Sequence, residues 1–275
     1  MNSPSQSNIL NEIKYLKVNI GYFPRLNNFV KHGFSWGNQA NMSSKNKNSN
    51  AKKNIQYFFD SIELTELEDS LVLLPDGHKD NIVFVNEGNL DLFPKGKIGI
   101  PISCDALFTN IQALPISIRV ADCTTAILYA KTFDNIEITG IVHTGRRSAE
   151  LLLAKKSIDC LVKQQNVNLE TIKIGIVPSI SKVNYKSQNL ENIQAEVWGS
   201  FISKEGDYFE VDILNFVINQ YLDAGISPDN IEVYEVDTYE SAKNKLTFSH
   251  RYYSENKDID KNLVDGRFIV ATSLY

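Results

Sequence analysis

Histidine and cysteine are scarce in this chain, at four and three among 275 residues. Cys104, Cys123 and Cys160 are odd in number and unpaired in spacing, which does not suit a secreted disulfide framework and leaves at least one free thiol. Long apolar runs are also missing. None approaches the roughly 20 residues that a membrane span requires, so no membrane partner is expected. Nor is positive charge in excess. With 28 Lys and Arg against 33 Asp and Glu, the net charge is −5, which argues against a surface that grips nucleic acid by neutralising phosphates. A local basic pocket stays open. Fourteen Gly and eight Pro are too few for a fibrous or low-complexity chain. The opening MNSPSQSNILNEIK lacks both a basic start and an apolar stretch of signal-peptide length, so a cytoplasmic location is expected.

What is present is ordinary globular material, 43% apolar and 22% charged. With no linker in view, one domain over residues 18–275 is expected after a frayed segment, 1–17. Residues 38–54 are almost wholly Asn, Ser and Lys and read as a mobile loop. A helix is expected from Asn54 to Leu67. From Asp69 onward, short Ile- and Val-rich runs recur (SLVLLP, NIVFVN, KIGIPIS, LPISIRV, TTAILYA, IEITGIVH), each bounded by Gly, Pro, Asn or Asp. These are strands of a sheet buried on at least one face. Ala149 to Lys163 has helical spacing, TIKIGIVPSI returns to strand, and a later helix opens near Asp212 and stops at Gly225 before the strand NIEVYEVD. The fold class is therefore mixed α/β.

Position singles out three donors. His78 lies in PDGHKD between two strands, Cys123 interrupts two strands in RVADCTTAILYA, and His143 ends IEITGIVH just before the turn TGRRS. Two imidazoles and a thiolate suit zinc with a fourth position left open, the arrangement of catalytic rather than structural sites. Their separations match no compact zinc motif, so two further readings stand beside this one. In the first, the His143 imidazole draws off the Cys123 proton to make a nucleophile. In the second, the thiol merely packs and the histidines are hydrogen-bonded.

The ordered set DALFTN, RVADCTTAILYA, IVHTGRRS, VPSIS…NY and FSHRYY…DGRF resembles the laccase-domain or multicopper polyphenol oxidase family, also called the YfiH or peptidoglycan editing factor family. The resemblance runs from about Val30 to Phe268, in order. It implies a mixed-sheet sandwich akin to cytotoxic necrotizing factor catalytic domains, with His78, Cys123 and His143 as the metal set. It also implies a zinc-dependent enzyme of purine nucleosides, by phosphorolysis of adenosine, inosine or methylthioadenosine, or by adenosine deamination. The sequence departs from the family pattern around that set. Where the family reads HAGWRG, residues 143–148 read HTGRRS, so Arg146 stands for Trp and Ser148 for Gly. Asp76 replaces a glutamine, Lys79 a glycine and Tyr252 an arginine.

Phosphorolysis needs an anion site, and Arg147, which matches the Arg of the family motif, is the first candidate for phosphate, with Arg251 second. Arg146 and Arg267 are expected in surface ion pairs. Deamination would need a carboxylate to shuttle protons. Asp76, two residues from His78 on a segment read as extended, is the candidate, whereas Asp122 is expected to be structural. His32 is expected to orient a turn or line the substrate pocket. Cys104 and Cys160 are read as packing thiols. Tyr57, Phe58, Phe59, Tyr252 and Tyr253 could stack on a base, though core packing is the commoner fate of such residues. Besides a nucleoside enzyme, a Cys123–His143 amide hydrolase and a member that binds without turnover fit the residues. Copper oxidation ranks last, because a blue-copper site and a trinuclear cluster need more histidines than four.

Overall fold

Alternation along the central strands dictates the layering. In Thr124–Lys131, Ile127 and Tyr129 pack in one core while Ala126, Leu128 and Ala130 pack in another, so this strand is covered on both faces. The computed structural model describes residues 19–37, 40–43, 50–64, 70–75, 77–93, 102–188 and 195–275. Two six-stranded mixed sheets stack face to face. The first runs Asn19–Gly21, Val30–Trp36, Phe268–Leu274, Ile116–Val120, Leu71–Leu74, Ile102–Ser103. The second runs Ile231–Val233, Lys173–Ile176, Thr124–Lys131, Glu137–Thr144, Ala106–Thr109, Ile82–Val85. Phe34, Ile118 and Val270 of the first meet Leu107, Ile127 and Ile141 of the second in the shared core. A small three-stranded sheet, Lys186–Ser187, Tyr208–Val211, Ile202–Glu205, stands apart from both.

Helices cover the outer faces, which gives the expected mixed α/β sandwich. On the second sheet lie Leu153–Gln165 and Ile213–Asp223, burying Ile158, Leu161, Phe216 and Val217 against Phe108, Leu128 and Val142. On the first lies Ala51–Ser61, whose Phe58 and Phe59 pack on Ile269 and Ala271. The Ile213–Asp223 helix has the ends read from its sequence: Asp212 accepts from the Asn215 N–H, and Gly225 takes φ +91° just past the end.

Three expectations need correction. The helix expected from Ala149 to Lys163 is two helices, Arg146–Glu150 and Leu153–Gln165. The break is at Leu152, in the left-handed region at φ +59°. It leaves Leu151 and Leu152 partly exposed and sets Leu153, Ala154, Ser157, Ile158 and Leu161 on one buried stripe. The helix expected over 54–67 begins at Ala51 and ends at Ser61, while residues 65–69 lie outside the described ones. The segment 38–54 is not a loop throughout. Ala40 and Met42 are buried in the core beneath Ala51–Ser61, the Met42 N–H donates to the Arg267 carbonyl, and Asn54 donates to the Asn41 carbonyl. The frayed segment expected at 1–17 lies outside the described residues.

Candidate metal centre

A hairpin brings two of the three donors together. Thr124–Lys131 and Glu137–Thr144 pair antiparallel from Lys131↔Glu137 back to Thr125↔His143 and Thr124↔Thr144. Cys123 enters the first strand where His143 leaves the second, so both sit at the open end of the same hairpin. His143 is 3% exposed. His78 arrives from a loop between Leu71–Leu74 and Ile82–Val85, where Gly77 (φ +67°) and His78 (φ +59°) both take left-handed backbone. The segment is thus a turn rather than the extended run expected there.

Asp105, wholly buried, ties the two histidines to one support. Its Oδ2 accepts from the Lys79 N–H at 3.0 Å, its carbonyl accepts from the His143 N–H at 2.8 Å, and its Oδ1 stands 3.7 Å from His143 Nδ1. The His78 and His143 rings lie 5.3 Å apart, and one ligating atom from each of His78, Cys123 and His143 falls within 4.8 Å of the others. Among the described residues no other group of three such donors comes together.

Two observations test whether a cation suits this place. His78 Nδ1, His143 Nδ1 and Asp105 Oδ1 are buried without a hydrogen-bond partner, an arrangement that is costly unless something else satisfies them. Gly145 leaves room beside the donors, because a Cβ there would stand 3.0 Å from His78 Nδ1 and 3.4 Å from Cys123 Sγ. Two imidazoles and a thiol with a vacant flank fit a zinc ion that keeps one open position. The electrostatics agree for His78. Burial lowers its pKa first, and His143, Arg147 and Arg146 lower it further against the pull of Asp105, which favours the neutral imidazole that a metal requires. At His143 burial works the same way but is outweighed by Cys123 and Asp105, which push it up to about 9.

His78 and Cys123 open onto a cleft of about 460 Å³ that is part apolar, from Ile180 and Ile213, and part basic, from Arg146, Arg147 and Arg251. Arg147 is exposed at its edge. Arg251 lies over the Tyr185 ring at 4.8 Å, pairs with Glu255 at 3.6 Å, and donates its backbone N–H to Asp122 Oδ2 at 2.8 Å. Asp122 also accepts from the Thr238 hydroxyl at 2.6 Å, a structural task as expected. Arg146 pairs with Glu150 at 2.8 Å, and that carboxylate also takes the Trp198 indole N–H at 3.0 Å. Arg267 pairs with Asp265 at 2.6 Å.

Other candidates fall elsewhere. His32 is not on this cleft. It is buried in Val30–Trp36, its Nε2 accepting from the Phe23 N–H at 2.8 Å and its Nδ1 3.1 Å from the Val30 carbonyl, contacts that orient the turn, the first of the two tasks expected of it. Asp76 lies outside the described residues. Cys104 is buried, and desolvation raises its thiol to about 12, as suits a packing group. Cys160, read as a packing thiol, is only half-buried, lies off the buried stripe of its helix and reaches Gln164. Phe58 and Phe59 are core residues, and Tyr252 packs edge-on against Tyr239. Sequence reasoning gave no role to Asp105, although it stands in the DALFTN segment that carried the resemblance. Gly145 was equally in view within HTGRRS, yet only the folded hairpin shows why its small size matters.

Comparison with known proteins agrees with the geometry. The model of the multi-copper polyphenol oxidoreductase laccase family matches residues 21–271, which include the three donors and the whole cleft. The chain belongs to that family. No curated protein matches it. Among solved structures it resembles the hypothetical protein YfiH of Bacillus licheniformis, at 19% identity, TM-score 0.75, covering 93% of this chain and 96% of that one. It also resembles YlmD of Geobacillus stearothermophilus, at 17% identity, TM-score 0.69, covering 88% and 91%. A Neisseria meningitidis protein is similar at 14% identity, TM-score 0.67, covering 94% and 98%. At these identities the likeness shows the shared fold. Among the described residues no helix is long and apolar enough to cross a membrane.

Proposed function

We propose that this laccase-family chain is a zinc-dependent, cytoplasmic enzyme that cleaves purine nucleosides with phosphate. The observation that carries the reading is the convergence of His78, Cys123 and His143 beside a cleft that Arg146, Arg147 and Arg251 line together with apolar walls. A nucleoside and phosphate together need that mixture: apolar surface for the base and fixed cations for the anion. His78, Cys123 and His143 would hold the ion, which when bound supplies a Lewis acid and lowers the pKa of coordinated water. Arg147, at the cleft edge, holds the phosphate through its planar pair of donors, and Arg251, steadied on Tyr185, supports it. Ile180 and Ile213 would give the base its apolar surface. Asp105 keeps the His143 ring in place from behind.

A second reading has an observation of its own. Cys123 Sγ and a His143 ring nitrogen lie within 4.8 Å, close enough for the imidazole to draw off the thiol proton, the arrangement of a cysteine nucleophile acting on an amide. Chromatography of adenosine and inosine reactions, with and without phosphate and before and after chelation, separates the readings. Base release that needs phosphate and metal is expected. Inosine formed from adenosine would instead place the activity with deamination. Amide hydrolysis that survives chelation would favour the Cys123–His143 pair, and no turnover with metal bound would leave a binding protein.

A further inference from the structure

His250 sits on the same cleft, outside the donor set, and although its side chain is 55% exposed its ring is held by a carboxylate. It opens the helix His250–Asn256, and its Nδ1 lies 3.0 Å from Asp265 Oδ1. Asp265 in turn takes the Arg267 guanidinium at 2.6 Å. Burial would raise the Asp265 carboxyl, but the hydrogen bonds from Arg267 and His250 outweigh it and hold the group below the usual carboxylate range. An ionised Asp265 fixes the proton on His250 Nδ1. That leaves Nε2, 3.5 Å from the Ser254 hydroxyl, as the nitrogen able to exchange a proton on the cleft wall that Ser254 also lines. Arg267 and Arg146 are both tied into ion pairs, yet only the Arg267 pair carries a titratable ring into the cleft.

We propose that His250 is the proton donor to the departing purine, with Asp265 and Arg267 as its positioning residues. The proposal rests on the phosphorolysis reading. A phosphate oxygen forms the new bond to the anomeric carbon while the carbon–nitrogen bond breaks and its electron pair goes to the purine. The acting form of His250 is the imidazolium, with Nδ1–H held by Asp265 and a second proton on Nε2; Nε2–H passes that proton to a purine ring nitrogen, and the phosphate hydroxyl returns one to Nε2, so the ring ends as it began. Such assistance matters because an unprotonated purine is a poor leaving group.

The test compares two leaving groups on the full-length, zinc-loaded protein. Adenosine needs a proton to depart, whereas 4-nitrophenyl riboside releases a phenolate that does not. His250→Gln is expected to lower kcat on adenosine by about a hundredfold, and at least tenfold more than on the nitrophenyl riboside. Asp265→Asn should shift the same ratio in the same direction by about tenfold, a selectivity that a general loss of fold would not produce. Equal losses on both substrates, or none on either, would overturn the role of His250 while leaving the phosphorolysis reading intact. A wild-type protein that binds metal yet cleaves neither substrate would overturn both.

Discussion

Two buried histidines teach how little burial alone says about function. His32 and His143 are equally inaccessible, at 3% each, and both lie in strands. His32 has both ring nitrogens met by nearby backbone, from Phe23 and Val30, and its pKa is lowered by burial. His143 has an unpartnered Nδ1, a carboxylate held off at 3.7 Å and a thiol beside it, and its pKa is pushed up. The first ring completes a structure with its own surroundings. The second sits among donors that could hold a metal ion.

The contrast can be broken in several places. Replacement of Cys123 by Ala removes the sulfur ligand, and turnover of adenosine with phosphate should fall by at least about a hundredfold; full activity in a steady-state assay would contradict both the ligand and the nucleophile roles. Asp105→Asn keeps the shape but weakens the support behind His143, so metal affinity, followed by competition with a chelator, should drop about 10- to 100-fold. Arg147→Ala should raise the KM for phosphate about tenfold while moving the KM for nucleoside far less; an unchanged phosphate dependence would remove Arg147 from the anion site.

The smallest effect belongs to the other histidine. His32→Leu leaves the Phe23 N–H without its acceptor and should cost about 1–3 kcal/mol in denaturant unfolding with no change in metal content. Its pH dependence has a definite sign. Because burial lowers the pKa of His32, the unfolded chain binds the proton more readily, and stability falls as pH drops below about 6.5 toward the folded value. The variant should lack that part of the acid loss.

Much of this was legible in the sequence, for reasons that differ by region. The strands from Leu71 to Thr144 announced themselves through Ile and Val runs, because a doubly covered sheet needs apolar residues on both faces. The nearness of Cys123 and His143 was legible only in part: both stand at strand ends, and the antiparallel hairpin that turns at Asp134 and Asn135 sets His143 opposite Thr125, two residues from Cys123. The break at Leu152 was hidden, since no Gly or Pro marks it and packing on the second sheet forces it. The burial of Ala40 and Met42 was masked by the polar residues around them. Asp105 was hidden differently: a carboxylate in a strand-rich stretch has no local signature, and its role exists only once the loop at His78 and the end of the hairpin have met over it.

Cobalt substitution tests the central claim most directly, because cobalt occupies tetrahedral zinc sites and reports a bound thiolate by a charge-transfer band. About one cobalt per chain is expected, with that band present in the wild-type protein and in His32→Leu but lost in Cys123→Ala. A protein that takes up no cobalt, or a band that persists without Cys123, would contradict the account.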